Sequence, residues 1–578
     1  MSLDLFGAEG AREYLARQLI AYIGNKRRLL PFLSGIIRQE AEGLQEAGGS
    51  RTLRFLDPFA GSGAVARLAR SMGMLVMASD SEEYARVLNS AFLCVSPRGA
   101  EEIAAAYGGM GALLARYNGL HPERGGKMPA REYFARHYAP ARTEEPRLGE
   151  ERLFYTRENA LFLDAAREAL DEDFPGAADA GEGAPAGSRL KCILLALLIY
   201  EAATHANTSG VFKAYHRGFG GHSGEALKRI MAPMELERPA LIEGPCAVVE
   251  RSDAARFCAS RSADICYLDP PYNQHQYGSN YHILNSLALH DRLPVSERRD
   301  AEGRLLDKAG IPERWKETRS PYCSRSLCPQ AFKELFEAID APVIVMSYGE
   351  EGSMPLDELV ELLSDRADVE TRSTGYVAYR GGRQSEGRSS ASSEFALVAR
   401  RRKGNAPKRS DALPSLASAK LLARLPALLA EVHKPQELSK HFALSGSYAF
   451  WKKGGLALRI IGNCVFARVD LDGISKETLV ELASILESTK SSGHAESCAV
   501  LARSIGEGSY GEKEGRILRS RFLRSLRKLA HRKYADEMRA ACDEGRAAAS
   551  AISSGQRAKF LEGLRAIERL AEKRTKSV

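Results

Sequence analysis

The sequence predicts an α/β protein with a mixed, mostly parallel seven-stranded core, a helical insert and a separate, basic, mainly helical C-terminal region. Three observations predict it. Within the first 400 residues, short apolar runs ending in turn residues alternate with amphipathic stretches, the rhythm of βαβ units and of a parallel sheet. Between about 97 and 245 that rhythm stops, and helical patterns such as Arg157–Leu170 and Leu190–His205 take over. The charge balance then reverses: residues 1–400 hold 48 Lys and Arg against 55 Asp and Glu, whereas residues 401–578 hold 34 against 19.

Taken in order, Arg54-Phe55-Leu56 reads as a strand that runs into Asp57-Pro58-Phe59-Ala60-Gly61-Ser62-Gly63, with an amphipathic helix from Ala64 to Met72. Leu75–Ala78 is a second strand, ending at Ser79-Asp80 and followed by a helix through Leu93. Further strands are expected at Cys246–Val249, Asp264–Leu268 and Val343–Met346, with Thr374–Tyr379 and Glu394–Ala399 as a closing hairpin. The Ala/Gly-rich stretch from Phe174 to Ser188 reads as a mobile segment inside the insert. The expected organisation is therefore core at 1–96, insert at 97–245, core again at 246–400, a basic linker at 401–415 and a basic region at 416–578. A chain of 578 residues has room for these parts.

Ten cysteines are scattered without a CxxC pair, so neither a disulfide framework nor a zinc site is expected. Met1–Phe6 lacks the charged and apolar regions of a signal peptide. The apolar run Cys192–Tyr200 is far short of the roughly 20 residues that span a bilayer. The expectation is a cytoplasmic chain with reduced thiols and no membrane or metal partner.

The chemistry concentrates after the run Ile265-Cys266-Tyr267-Leu268, at Asp269-Pro270-Pro271-Tyr272. In open α/β sheets, ligands bind beyond the carboxyl ends of the strands. An exocyclic amino group on a nucleobase would find two acceptors there, the Asp269 carboxylate and the Pro270 carbonyl. The prolines fix φ and hold that carbonyl outward, and Tyr272 offers a stacking face. Gly61 and Gly63 let the backbone approach a ligand at a strand-to-helix turn. Asp80 can accept both hydroxyls of a ribose, or it caps the next helix. The turn lacks a third glycine for pyrophosphate, so a nucleoside without phosphates, such as S-adenosylmethionine, fits better. Asp253 can accept from that nucleoside's adenine amino group or serve as an N-cap. Lys26, in Tyr22-Ile23-Gly24-Asn25-Lys26, offers a cation for its carboxylate or is simply a basic helix start.

Together these segments resemble the D12-class N6-adenine DNA methyltransferases, with the insert preceding the Asp-Pro-Pro-Tyr motif as in that family's α arrangement. Asn207–Lys213, Asn273–His282, Arg319-Ser320-Pro321-Tyr322 and Ser347-Tyr348 resemble a bacterial branch of adenine-specific DNA methylases. The resemblance covers roughly residues 15–400. It implies a Rossmann-like core dependent on S-adenosylmethionine and direct methyl transfer to an adenine flipped out of double-stranded DNA. It places Asp269, Pro270, Pro271 and Tyr272 at the target base, and Tyr22, Gly24, Lys26, Asp57, Pro58, Phe59, Gly61, Gly63, Asp80 and Asp253 at the cofactor. Any restriction endonuclease would be a separate chain.

For nucleic-acid contacts the expected residues are Asn207, Lys213 and Arg217 in the insert and Tyr277, Asn280 and Tyr281 after the motif; each of the insert residues can equally be part of a turn. Arg516–Leu529 reads as an amphipathic helix with Leu518, Phe522, Leu526 and Leu529 as its apolar stripe. Its Arg519, Arg524 and Arg527 either meet DNA phosphates or form a solvated face. Gln436–Gly454 has a weak helix-turn-helix pattern about Ser445-Gly446. The expected activity is site-specific DNA adenine-N6 methylation, from or derived from a restriction-modification system. The alternatives are N4-cytosine or RNA adenine methylation, and a DNA-binding regulator on an inactive scaffold. The target sequence and oligomeric state are not encoded in any motif.

Overall fold

The computed structural model describes residues 10–17, 19–20, 24–48, 51–181, 183–220, 224–376, 392–402, 412–453, 455–467, 471, 473–508 and 510–576. The chain divides into two compact units, Met1–Leu416 and Ala417–Val578.

In the first unit, β1 (Arg54–Asp57), β2 (Leu75–Asp80), β3 (Val248–Arg251), β4 (Ile265–Leu268), β5 (Val343–Gly349), β6 (Ala367–Tyr376) and β7 (Ser392–Arg401) form one sheet. Its order is β3-β2-β1-β4-β5-β7-β6. The pairs from β3 to β5 are parallel, and β7 runs antiparallel to both β5 and β6. This is the mixed, mostly parallel seven-stranded core that the alternation of runs predicts. The hairpin begins earlier than expected, at Ala367, and residues 377–379 lie outside the described residues.

Burial on both faces explains why the central strands are apolar throughout. All four residues of β4 are buried, and Phe55 of β1 stacks on Tyr267 at 6.4 Å between ring centroids. At the other end of these strands the Arg51 guanidinium and the Arg54 backbone N–H both donate to Asp264, the latter at 2.7 Å. That carboxylate fixes the start of β1 against the start of β4.

The insert is helical, as expected, and shares its core with the sheet. Phe134, Phe162 and Leu194 belong to the same buried cluster as Phe55, Val76 and Ile265. Helix Ala186–Thr204 is buried nearly all round from Leu190 to Ile199, which accounts for its unbroken apolar run. The stretch expected to be mobile is instead anchored: Phe174, Ala178 and Ala180 are buried, and the helix already begins at Ala186.

The second unit is less purely helical than its composition suggests. Beside its helices it holds β8 (Phe442–Ser445), β9 (Tyr448–Trp451), β10 (Ala457–Ile461) and β11 (Val465–Phe466) in one antiparallel sheet. Gln436–Gly454 is therefore not a helix-turn-helix. Helix Pro435–His441 leads straight into the β8–β9 hairpin, because the aromatic run Tyr448-Ala449-Phe450-Trp451 has strand composition. Arg516–Leu529 does lie in one helix, Glu512–Leu529, with Leu518, Phe522, Leu526 and Leu529 buried. Among the described residues one helix, Ala412–Leu429, is long and apolar enough to cross a bilayer. It contains Lys420, Arg424 and Pro426, and its Leu425 and Leu428 pack in a core with Leu438 and Trp451.

Candidate active site

A cleft of about 550 Å³ opens at the carboxyl ends of β1, β2, β3 and β4. It is lined by Gly24 and Lys26, by Asp57, Pro58, Phe59 and Gly61, by Asp80 and Glu82, by Asp253, and by Asp269, Pro270, Pro271 and Tyr272. Motifs up to 245 residues apart in sequence thus meet in one cavity of the size that holds a small ligand. Tyr22 lies outside the described residues.

The glycine turn owes its shape to two contacts. Gly61 adopts φ 51° and donates its N–H to Asp80 Oδ2 at 2.9 Å. Gly63, at φ 75°, caps helix Ala64–Ser71 so closely that a Cβ would stand 2.5 Å from Asn89 Oδ1. Asp80 therefore holds the turn as well as lining the cleft. Its other oxygen accepts the Glu82 N–H at 2.9 Å. Burial pushes its carboxyl up to about 6, and the backbone N–H donors pull it back only in part. Asp253 is an N-cap, accepting from the N–H groups of Ala255 and Arg256 at 3.0 and 3.2 Å. It caps helix Ala254–Ala259 and also faces the cleft.

Around Asp269 the structure departs from expectation. Lys26 does not stand free to receive a cofactor carboxylate: its ammonium is buried 2.9 Å from Asp269 Oδ1 and 3.8 Å from Glu394 Oε1. It also lies 5.1 Å from the Tyr272 ring centroid. Burial works to discharge this lysine, but Asp269 and Glu394 outweigh it and hold its pKa well above the usual value. Burial raises Asp269 to about 6, with Lys26 drawing it down and Glu394 adding to the rise. Burial also raises Asp57, and Asp269 adds to that. Tyr272 donates its hydroxyl to Glu394 at 2.9 Å and meets the edge of Tyr348 at 5.5 Å, so its ring is fixed in place.

Two carboxylates of the site escape the motif reading. Glu394 heads β7, opposite Gly349 at the end of β5. Because β7 is antiparallel, its first residues reach the rim that the parallel strands reach with their last. Glu82, two residues beyond Asp80, is buried and raised to about 7 by that burial, while it accepts from Asn285 and Thr318. Arg319, Ser320, Pro321 and Tyr322 do line the cleft, with Tyr322 edge-on to Phe59 at 5.1 Å.

Three residues expected at the DNA surface are internal. Asn207 is fully buried and donates to the carbonyls of Leu153, His216 and Gly218, which staples the insert loop. Asn280 and Tyr281 are each 1% exposed. The Asn280 carbonyl accepts the Phe212 N–H at 2.7 Å, and Tyr281 packs against Tyr84. The Asn207 amide thus satisfies backbone carbonyls of its loop, while Asn280 and Tyr281 are packed in the interior. Tyr277 stacks on Tyr281 at 6.1 Å and lines the cleft. Lys213 and Arg217 are exposed on the insert loop, as are Arg524 and Arg527 on their helix, whereas Arg519 is bonded to Gln556. Among the described residues no group of three or more His, Cys, Asp or Glu side chains is placed to hold a metal ion.

A glycine turn after β1, a carboxylate after β2 and an Asp-Pro-Pro-Tyr turn after β4, all opening on one cleft of a sheet with this strand order, define a Rossmann-like methyltransferase. The family model for D12 class N6 adenine-specific DNA methyltransferases matches residues 22–295. The chain is 30% identical over 377 residues to the type II methyltransferase M.NlaIII of Neisseria lactamica, covering 65% of this chain and 96% of that protein. It belongs to the D12 class of DNA adenine methyltransferases. It is also 28% identical over 349 residues to modification methylase LlaI of Lactococcus lactis subsp. lactis, covering 59% of this chain and 48% of that protein. With the type II methyltransferase M.FokI of Planomicrobium okeanokoites the identity is 28% over 237 residues, 41% of this chain and 33% of that protein. No solved structure matches the chain.

Proposed function

We propose that the cleft takes S-adenosylmethionine along its β1, β2 and β3 side and a flipped adenine against Asp269 and Tyr272, and that the protein methylates N6 of that adenine at specific sites in double-stranded DNA. The observation that carries this is Asp269 and the Gly61–Asp80 turn facing one cavity. The donor set suits the cofactor: Asp57, Asp80, Glu82, Asp253 and Asp269 line the cleft, and a cationic ligand would relieve the repulsion among Asp57, Asp80, Glu82 and Asp269. Asp80 and Asp253 would receive its hydroxyl and amino groups, and the backbone at Gly61 would lie against it. When bound, the cofactor supplies a methyl group made electrophilic by its sulfonium.

The chain's own work is positioning and electrostatics. Tyr272, held by Glu394 and Tyr348, presents a fixed face for the base. Asp269 accepts one N6 hydrogen and the Pro270 carbonyl the other, which makes the nitrogen lone pair more available. Lys26 gives up part of its hold on Asp269 Oδ1 as the amino group arrives, with Glu394 as its second counterion. The methylated nitrogen sheds its proton readily, so a carboxylate near pKa 6 suffices as its first acceptor.

The relatives' names support a place in, or descent from, a restriction-modification system, with any endonuclease on a separate chain. A DNA substrate suits a cytoplasmic protein. Incubation with methyl-labelled S-adenosylmethionine and unmethylated duplex, followed by mass spectrometry of the nucleosides, tests the reading. N6-methyldeoxyadenosine is expected. Label on cytosine N4, transfer only to RNA, or no transfer would overturn it. Asp269→Ala should abolish transfer while cofactor binding largely survives.

A further inference from the structure

The second unit's sheet departs from the pattern of a half-buried sheet. Its inner face is conventional: Phe442, Ala449, Trp451, Leu458 and Ile460 are buried against Leu438, Leu482 and Leu486. The outer face of such a sheet is ordinarily polar. Here the alternation of β9 instead turns Tyr448 and Phe450 outward, 48% and 46% exposed, at the centre of the sheet. Their cross-strand neighbours do not cover them. Two rings stand in the middle of an antiparallel sheet, Phe450 between Ala443 and Ala457 and Tyr448 between Ser445 and Arg459.

We propose that this face binds unstacked nucleobases of single-stranded DNA, with Tyr448 and Phe450 as two stacking platforms. Every base has a π face, and an aromatic side chain can meet it only where the base has left the duplex stack. The two ring centroids are 6.1 Å apart with a 36° tilt. That is nearly twice the 3.4 Å rise per nucleotide of a stacked strand, so successive bases on the two rings would be drawn apart, which a single strand does without the cost of opening a duplex step.

The surrounding charge is complementary to a phosphate backbone. Residues 434–459 carry five Lys and Arg against one carboxylate. Lys452 Nζ bonds to the carbonyls of Ser439 and Lys440, and it has no ion pair with a carboxylate among the described residues. Lys453 reaches Glu481 only at 3.7 Å, and both side chains are half or more exposed. Arg459, beside Tyr448, is shared with Glu514 at 3.1 Å. A protein partner would gain from the apolar rings but not from this excess of cations, and a DNA methyltransferase has a polyanion at hand. The inference rests on DNA as the substrate, and on nothing in the catalytic cleft.

Fluorescence anisotropy of the full-length protein with a labelled oligo-dT of about 15 nucleotides tests it. Oligo-dT offers the cleft no adenine, and the difference between native and variant chains reports on the sheet. Tyr448→Ala with Phe450→Ala is expected to weaken binding about tenfold or more per ring, to leave the melting temperature unchanged, and to keep methyl transfer to a short duplex. Tyr448→Trp with Phe450→Trp should bind at least as well as the native chain. Equal oligo-dT binding by the native protein and the double alanine variant would overturn the proposal, as would no binding by either. Loss of a dimer in the alanine variant, read by sedimentation, would assign the face to a second copy instead. Failure of the native protein to methylate duplex DNA would sink the enzymatic reading and leave oligo-dT binding standing.

Discussion

Lys26 Nζ lies 2.9 Å from Asp269 Oδ1 in the interior of the cleft, which sets a buried ammonium against the carboxylate proposed to receive the target amino group. The pair is not a simple structural bridge. Lys26 also faces Glu394 at 3.8 Å, so one cation serves two carboxylates and can shift between them without being stripped of a counterion. A buried ion pair with two possible partners tolerates exchange that an isolated pair would not.

Removing the cation should therefore disturb the acid more than the fold. Lys26→Met leaves Asp269 beside Glu394 and Asp57 with no positive neighbour among the atoms that now lower its pKa. Asp269 is ionised above about 6 in the native chain. In the variant its protonation is expected at a pH about one to three units higher, and the acid limb of the kcat/KM profile should move up with it. An unmoved limb would separate Lys26 from the chemistry.

Glu394→Gln is the opposite perturbation. The amide keeps an acceptor for the Tyr272 hydroxyl, now at 2.9 Å, but withdraws the charge that raises Asp269 and shares Lys26. The acid limb should move down. Yet kcat should fall, because Lys26 now has Asp269 as its sole anionic partner and yields its oxygen less readily. Both effects together distinguish Glu394 from a residue that merely fills space; Glu394→Ala should add a loss of stability from the unbonded phenol.

The contrast between these residues shows what a sequence discloses. Asp269, Gly61 and Asp80 are legible because strand, turn and helix lie within a dozen residues of each other, and local pattern carries their geometry. Lys26 reaches its place through packing of a distant segment against β4, which no local pattern records. Glu394 is not legible in this way, because β7 runs antiparallel and brings its beginning to the rim that the parallel strands reach with their ends. Asn207, Asn280 and Tyr281 have the composition of contact residues, yet backbone carbonyls claim Asn207, aromatic neighbours claim Tyr281, and Asn280 is buried. In Gln436–Gly454, Ser445-Gly446 marks a turn correctly, but a turn residue does not say whether a helix or a strand follows.

The ring and the hydroxyl of Tyr272 should contribute separately. Tyr272→Phe keeps the stacking face and loses one hydrogen bond to Glu394, so KM for DNA should change little. Tyr272→Ala removes the face, and base stacking on an aromatic ring is worth about 1–3 kcal/mol. KM for DNA is expected to rise about ten- to hundredfold while cofactor affinity, measured by calorimetry, stays near native. Equal behaviour of the two variants would deny Tyr272 a stacking role.

Stability has its own titratable anchor, remote from the cleft. Asp264 accepts from Arg51 at 2.8 Å and from the Arg54 N–H at 2.7 Å, tying the starts of β1 and β4 together. The Arg51 hydrogen bond, chief among its contacts, holds the Asp264 pKa below the usual carboxylate range. A depressed folded pKa means that the unfolded chain binds the proton more readily, so the stabilisation is fully present above about pH 4 and fades as pH falls through the folded value. Asp264→Asn retains the shape and loses the charge. It should cost about 1–3 kcal/mol at neutral pH, read from urea denaturation of the first unit, and the gap to the native protein should close as the pH is lowered toward 3. A gap independent of pH would mean that the contact acts through shape alone, and that the charge on Asp264 does not hold β1 to β4.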